Sequence, residues 1–185
     1  MKKISIILFL FIAFFDCNAD DARDELIVQT VLKLESFNYT KSSEKVKGSI
    51  QRYLDKNVGS EIYFNVVERF SIITQIDNLI KISSNEKVNL RAVSILVKLG
   101  GHASIKKGLE LKGNKRTNFI KSLGTVNSTD SVKNLTEIIL NAQDPDLNTA
   151  SSALVKSALG QDQLLEMLKN EQLPEMLRND TLKLL

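Results

Sequence analysis

Apolar residues return every three or four positions along most of this chain, the spacing that turns one face of an α-helix inward. No segment sustains the strict alternation a half-buried strand needs, and the chain of 185 residues has only 8 Gly and 2 Pro. The pattern predicts an all-α fold. A first helix is expected over residues 21–35, with Ile27, Val28, Val31, Leu32 and Leu34 inward and Asp20 or Asp21 as its cap. After a loop over residues 36–41, Ser42 or Ser43 caps a second helix that carries Val46, Ile50, Tyr53 and Leu54. Gly59-Ser60 punctuates it. A third helix holds Ile62, Val66, Val67 and Phe70, and a fourth holds Ile76, Leu79 and Ile80.

From residue 85 the pattern becomes repetitive. Three apolar stretches run into Leu-Gly, at Leu99-Gly100, Leu123-Gly124 and Leu159-Gly160, and each leads through polar residues to another apolar helix. Glycine suits the left-handed conformation of a helix C-cap, so Gly100-Gly101 is expected to stop a helix whose partner carries Ile105 and Leu109. The next pair joins Phe119, Ile120 and Leu123 to Val132, Leu135, Ile138 and Ile139, with Asp130 as the cap of its second helix. The following pair is expected to start at Asp144-Pro145, run to Leu159-Gly160 and continue through Leu164, Leu165 and Leu168. Leu173-Pro174 opens a last helix. Pairs that cannot bury both faces alone must stack, so the reading is an irregular α-solenoid. The Leu-Gly marks are 24 and then 36 residues apart, so the repeat is degenerate and the competing architecture is an irregular bundle.

The first 19 residues stand apart. Lys2 and Lys3 precede an apolar run from Ile4 to Phe15, broken only by Ser5 and shorter than the roughly 20 residues of a membrane span. This is the form of a secretory signal peptide, with cleavage expected after Ala19. Cys17 gives a second reading, lipidation as in a bacterial lipoprotein, although Asp16 replaces the small residue such sites usually have there. Export to the periplasm, free or membrane-anchored, is therefore expected. The mature chain, residues 20–185, is read as one helical domain. Its aromatics crowd residues 20–82, and the clearer pairs occupy residues 83–185. Cys17 is the one cysteine, so the mature fold has no intrachain disulfide and depends on its core.

Chemistry is sparse in the sequence. His102 is the one histidine, and with Ser104 beside it no nucleophile elbow accompanies it. Asp144 and Asp146 flank Pro145 without a calcium-loop pattern and read as favourable charge at a helix start. No phosphate-binding glycine motif is present. No catalytic, metal or cofactor residue is assigned. A carboxylate-pair hydrolase is the weakest alternative, because many acidic residues make some pair inevitable.

The stretches Val31–Phe37 (VLKLESF), Ser42–Leu54 (SSEKVKGSIQRYL) and Tyr63–Phe70 (YFNVVERF) resemble the helical region of bacterial PVC-type haem-binding CxxCH proteins, of the membrane-bound dehydrogenase kind. Leu90–Gly101 resembles their HEAT-like repeats, and the resemblance covers nearly all of residues 21–185. It implies HEAT-like helix pairs. In that family a propeller similar to sugar dehydrogenases comes first and a c-type cytochrome domain closes the chain. Here there is no propeller and no CxxCH, so no haem-site residue carries over and no haem is expected in this chain. The resemblance implies a second role, as an accessory or truncated fragment of a periplasmic haem-containing dehydrogenase.

One charge cluster stands out. Lys106, Lys107, Lys112, Lys115, Arg116 and Lys121 fall close together with Glu110 the one acid among them. They form either a solvated edge or a docking patch for an acidic partner or anionic lipid. Nucleic acid is not expected, because no aromatics are interleaved for base stacking. The expected function is a non-enzymatic protein-binding or scaffold module.

Overall fold

The computed structural model describes residues 20–141 and 143–184, with side chains as far as residue 179. The signal segment, Cys17 and the Ala19 junction lie outside the described residues. Every regular element among the described residues is helical. They are α1 (20–33), α2 (Glu44–Lys56), α3 (Glu61–Phe70), a 3₁₀ turn at Ile73–Gln75, α4 (Ile76–Ser83), α5 (Leu90–Leu109), α6 (Asn114–Leu123), α7 (Thr129–Leu140), α8 (Leu147–Leu154), α9 (Ala158–Lys169) and α10 (Glu175–Leu184).

Two units divide the chain at Phe70–Ser71. The sequence suggested one domain with a change of character at residue 82. The difference has a physical cause: α4 packs on α5 and α6, and Ser122 Oγ donates to the Ser83 carbonyl at 2.7 Å.

In the first unit Val28 and Val31 of α1 are buried with Ile50, Tyr53 and Leu54 of α2 and Tyr63, Phe64, Val66 and Val67 of α3. Ser43 is the N-cap of α2, its hydroxyl accepting from the Val46 N–H. Residue 33 ends α1, two residues earlier than its apolar pattern suggested, and Leu34 stands 49 % exposed. The Arg69 guanidinium donates to the Leu32 and Leu34 carbonyls, which closes the C-terminal end of α1. Asp24 is 2 % exposed and takes two hydrogen bonds from Arg52, at 2.8 and 2.7 Å.

The second unit has two ranks of helices. In one rank α6 lies between α4 and α8, and α10 follows against α8. In the other, α7 lies between α5 and α9. Helices consecutive in the chain pack across the ranks, α4 on α5, α5 on α6, α7 on α8 and α8 on α9. Members of the first rank begin at Ile76, Asn114, Leu147 and Glu175, intervals of 38, 33 and 28 residues. The single aromatic of this unit, Phe119, is fully buried, with the Cα of Gly108 close against its ring.

The three Leu-Gly marks prove physically unlike. Gly101 does break α5 into two helical halves, at φ 51° and ψ −148°. That is a glycine conformation, but it is not the left-handed helical C-cap expected. Gly124 has ordinary helical angles, φ −61° and ψ −18°. Gly160 ends nothing: it is the third residue of α9, its N–H donating to the N-cap Ser157. Both sit where a neighbouring backbone comes too close for a side chain, Gly124 on Ala153 and Gly160 on Leu154. Two helix starts also differ from expectation. Ser128 occupies the N-cap of α7 and Asp130 lies in its first turn. Asp146 occupies the N-cap of α8, so Pro145 precedes the helix and is not its first residue.

Candidate functional site

A groove of about 510 Å³ lies between α7 and α9 in the second unit. Thr129, Val132, Lys133, Thr136, Glu137 and Leu140 line one wall, a single stripe at helical spacing along all of α7. Leu159, Asp162, Gln163 and Glu166 form the other wall, likewise one stripe of α9. The Leu159 N–H donates to Asn127 Oδ1 at 3.0 Å, so α9 starts beside the start of α7 and the two helices run in the same direction. Leu140 is 55 % exposed, and Leu159, read from the sequence as the end of an apolar helix, stands 36 % exposed.

The six basic residues of the predicted patch do not act as one. Lys107 pairs with Asp77 at 2.6 Å and, with Lys115, lines a cleft of about 330 Å³ beside Asp77, Ile80 and Lys81. Lys106, one residue along the helix, turns to a different cleft against Asn134, Glu137 and Ile138 of α7. Lys112 and Lys121 are exposed and line neither cleft.

Arg116 is not available for docking at all. Its side chain, 17 % exposed, holds Asp144 through two hydrogen bonds at 2.9 and 2.7 Å and also pairs with Asp146. Its Nε donates to the Leu109 carbonyl at 3.0 Å. Asp146 accepts in addition from the Thr117 hydroxyl, and its N–H donates to Asp144 Oδ1. Asp144 and Asp146 are thus ligands of an arginine, which ties the end of α5, the start of α6 and the loop before α8 together. The Arg116 hydrogen bonds hold the Asp144 carboxyl below the usual aspartate range against the opposing effect of its burial. Burial pushes the Asp24 carboxyl up, and hydrogen bonds from Arg52 and Ser49 outweigh it, so its pKa is lowered too.

Both carboxyls therefore stabilise the fold above their unfolded pKa, about 3.9, and that contribution is lost as pH falls through the lowered folded values. Thermal unfolding followed by circular dichroism is expected to shift down on acidification below about pH 4. Asp144→Asn should be less stable at neutral pH and shallower in its acid limb; an acid limb as steep as that of the wild type would sink the assignment.

His102 is engaged rather than poised. Asn134 Nδ2 lies 2.9 Å from its Nδ1 and also donates to the Asp130 carbonyl at 2.7 Å, which makes Nδ1 the acceptor. The Ser104 hydroxyl lies within reach of the Leu96 and Gly101 carbonyls, at the break of α5. Among the described residues no three His, Cys, Asp or Glu side chains converge as metal ligands, and no helix is long and apolar enough to cross a membrane. Sequence reasoning missed the groove and the Asp24–Arg52 pair. The α7 stripe was readable from its spacing, whereas nothing local signalled that Asp24 would meet a residue 28 positions away. Compared with family models, with curated proteins and with solved structures, the chain matches none.

Proposed function

We propose that this chain is a non-enzymatic protein-binding scaffold, an irregular α-solenoid of HEAT-like helix pairs that works after export, either free in the periplasm or held at a membrane by a lipid on Cys17. The observation that carries the reading is the pair of ranks built from alternate helices at intervals of 38, 33 and 28 residues. Stacked pairs bury their facing sides and leave grooves between neighbours of one rank, which is how such stacks present binding surface. The open apolar groove between α7 and α9 is a surface of this kind.

The reading is tested with a photo-crosslinking amino acid placed at Thr136 or Gln163 in the groove and at exposed Lys121 or Ser152 of the other rank. Irradiation of cells that make the protein is expected to give a discrete heavier adduct from at least one position. A full-length protein that stays free at all four sinks the proposal. The mass of the mature N-terminus should correspond to a start at Asp20 or at a lipidated Cys17, and an intact Met1 overturns export.

A further inference from the structure

The groove between α7 and α9 has a chemistry that selects its occupant. Its exposed apolar surface comes from Leu140 and Leu159, with Val132, 8 % exposed, in its lining. Its charged groups are Glu137, Asp162 and Glu166 against Lys133, a local excess of carboxylate on a chain whose formal charge is +3. None of these three acids has an ion-pair partner among the described residues. Glu137 lies in the last turn of α7, which contains no basic residue. A carboxylate there faces the negative end of the helix dipole, and a cation docked in the groove adds to the Lys106 that lines the neighbouring cleft beside Glu137. From Thr129 to Leu140 the α7 wall is about 16 Å long, three turns of a docked helix at 1.5 Å per residue.

We infer that this groove takes a cationic amphipathic helix of a partner protein, its Leu-like face on Val132, Leu140 and Leu159 and its Lys or Arg residues against Glu137, Asp162 and Glu166; the inference rests on the scaffold reading. Docking of an apolar stripe supplies the affinity and the rim charges supply the selectivity.

The test uses the mature chain and two labelled synthetic helices of about 14 residues, alike in their Leu stripe, one carrying Lys and the other Glu on its flanks. Fluorescence anisotropy is expected to show the Lys helix binding and the Glu helix not. Leu140→Asp with Leu159→Asp should weaken the Lys helix at least about tenfold. Glu137→Lys with Asp162→Lys and Glu166→Lys should reverse the preference, so that the Glu helix is the one bound. Glu137→Gln with Asp162→Asn and Glu166→Gln, neutral and milder, should weaken the Lys helix without creating affinity for the Glu helix. Circular dichroism checks that each variant retains its helix content.

Equal binding of both helices by the wild type overturns the inference, as does a Lys helix bound by all variants alike. So does a wild-type dimer in sedimentation that Leu140→Asp abolishes, because a second copy then fills the groove. Failure here is separable from failure of the scaffold reading. Discrete crosslinks from Lys121 or Ser152 together with unselective peptide binding remove the groove assignment alone.

Discussion

Replacing Arg116 with Met is expected to lower the stability of the second unit by about 3 kcal/mol. For a domain of this size that is a fall of roughly 10 °C in melting temperature. The reason is what remains behind. Asp144 and Asp146 have side chains 13 % and 12 % exposed, and removing the guanidinium leaves two adjacent carboxylates without a counter-charge. Breaking a buried pair from one side costs more than removing the whole pair, because the survivor is both desolvated and unpaired. Arg116 also closes the Leu109 carbonyl at the end of α5. Adding Asp144→Asn and Asp146→Asn to Arg116→Met should therefore recover part of the loss, since neutral amides do not repel. A triple variant no more stable than Arg116→Met alone sinks this account, and so does an Arg116→Met chain that melts within a degree or two of the wild type.

The same residue shows where the sequence stopped being informative. Arg116 sits among five lysines, and by composition alone it belongs with them. Only the return of the chain 28 and 30 residues later, carrying Asp144 and Asp146, turns it inward. The helices themselves were legible, because three- and four-residue spacing is a local property: the buried stripe of α7 was read correctly, whereas in α3 the pattern named Ile62 and Phe70, which are half-buried, and missed the buried Tyr63 and Phe64. Helix ends were less so. The sequence carried α8 through to Leu159-Gly160, whereas the helix stops at Leu154 and α9 begins at Ala158. Each residue turns a helix by about 100°, so a new start resets which face is buried. Leu159 and Leu165 accordingly come out and Met167 goes in, 36 %, 42 % and 0 % exposed. The groove was hidden by that phase change, since Leu159 had been read as the end of the preceding helix. Leu-Gly did not mark the spacing of the helices. One glycine marks a backbone break and two mark close helix approach, so their 24- and 36-residue spacing differs from the 38-, 33- and 28-residue intervals of the rank.

Close backbone approach reverses the usual sign of a glycine-to-alanine change. On helix propensity alone, Gly→Ala inside a helix should stabilise by up to about 1 kcal/mol. Gly48 tests that case: it lies within α2, and an added methyl would meet only Arg52 Nη1, at 3.5 Å. Gly48→Ala is expected to stabilise by about 0.5–1 kcal/mol. At Gly160 the same methyl would lie 2.8 Å from the Leu154 carbonyl carbon and nearer still to its oxygen. These are backbone atoms at the end of α8, which cannot rotate away as a side-chain tip can. α9 must shift off α8, and Gly160→Ala is expected to destabilise by about 2 kcal/mol net of its propensity gain. Gly124→Ala, 2.7 Å from the Ala153 Cα, should behave likewise. Urea titrations followed by circular dichroism resolve the signs. A Gly160→Ala midpoint at or above that of the wild type means that α8 and α9 have room to spare. The wall of the groove is at stake as well, because Leu159 is the neighbour of Gly160 and moves with it. Gly160→Ala should therefore also weaken the Lys-flanked helix, whereas Gly48→Ala, in the other unit, should leave its binding unchanged.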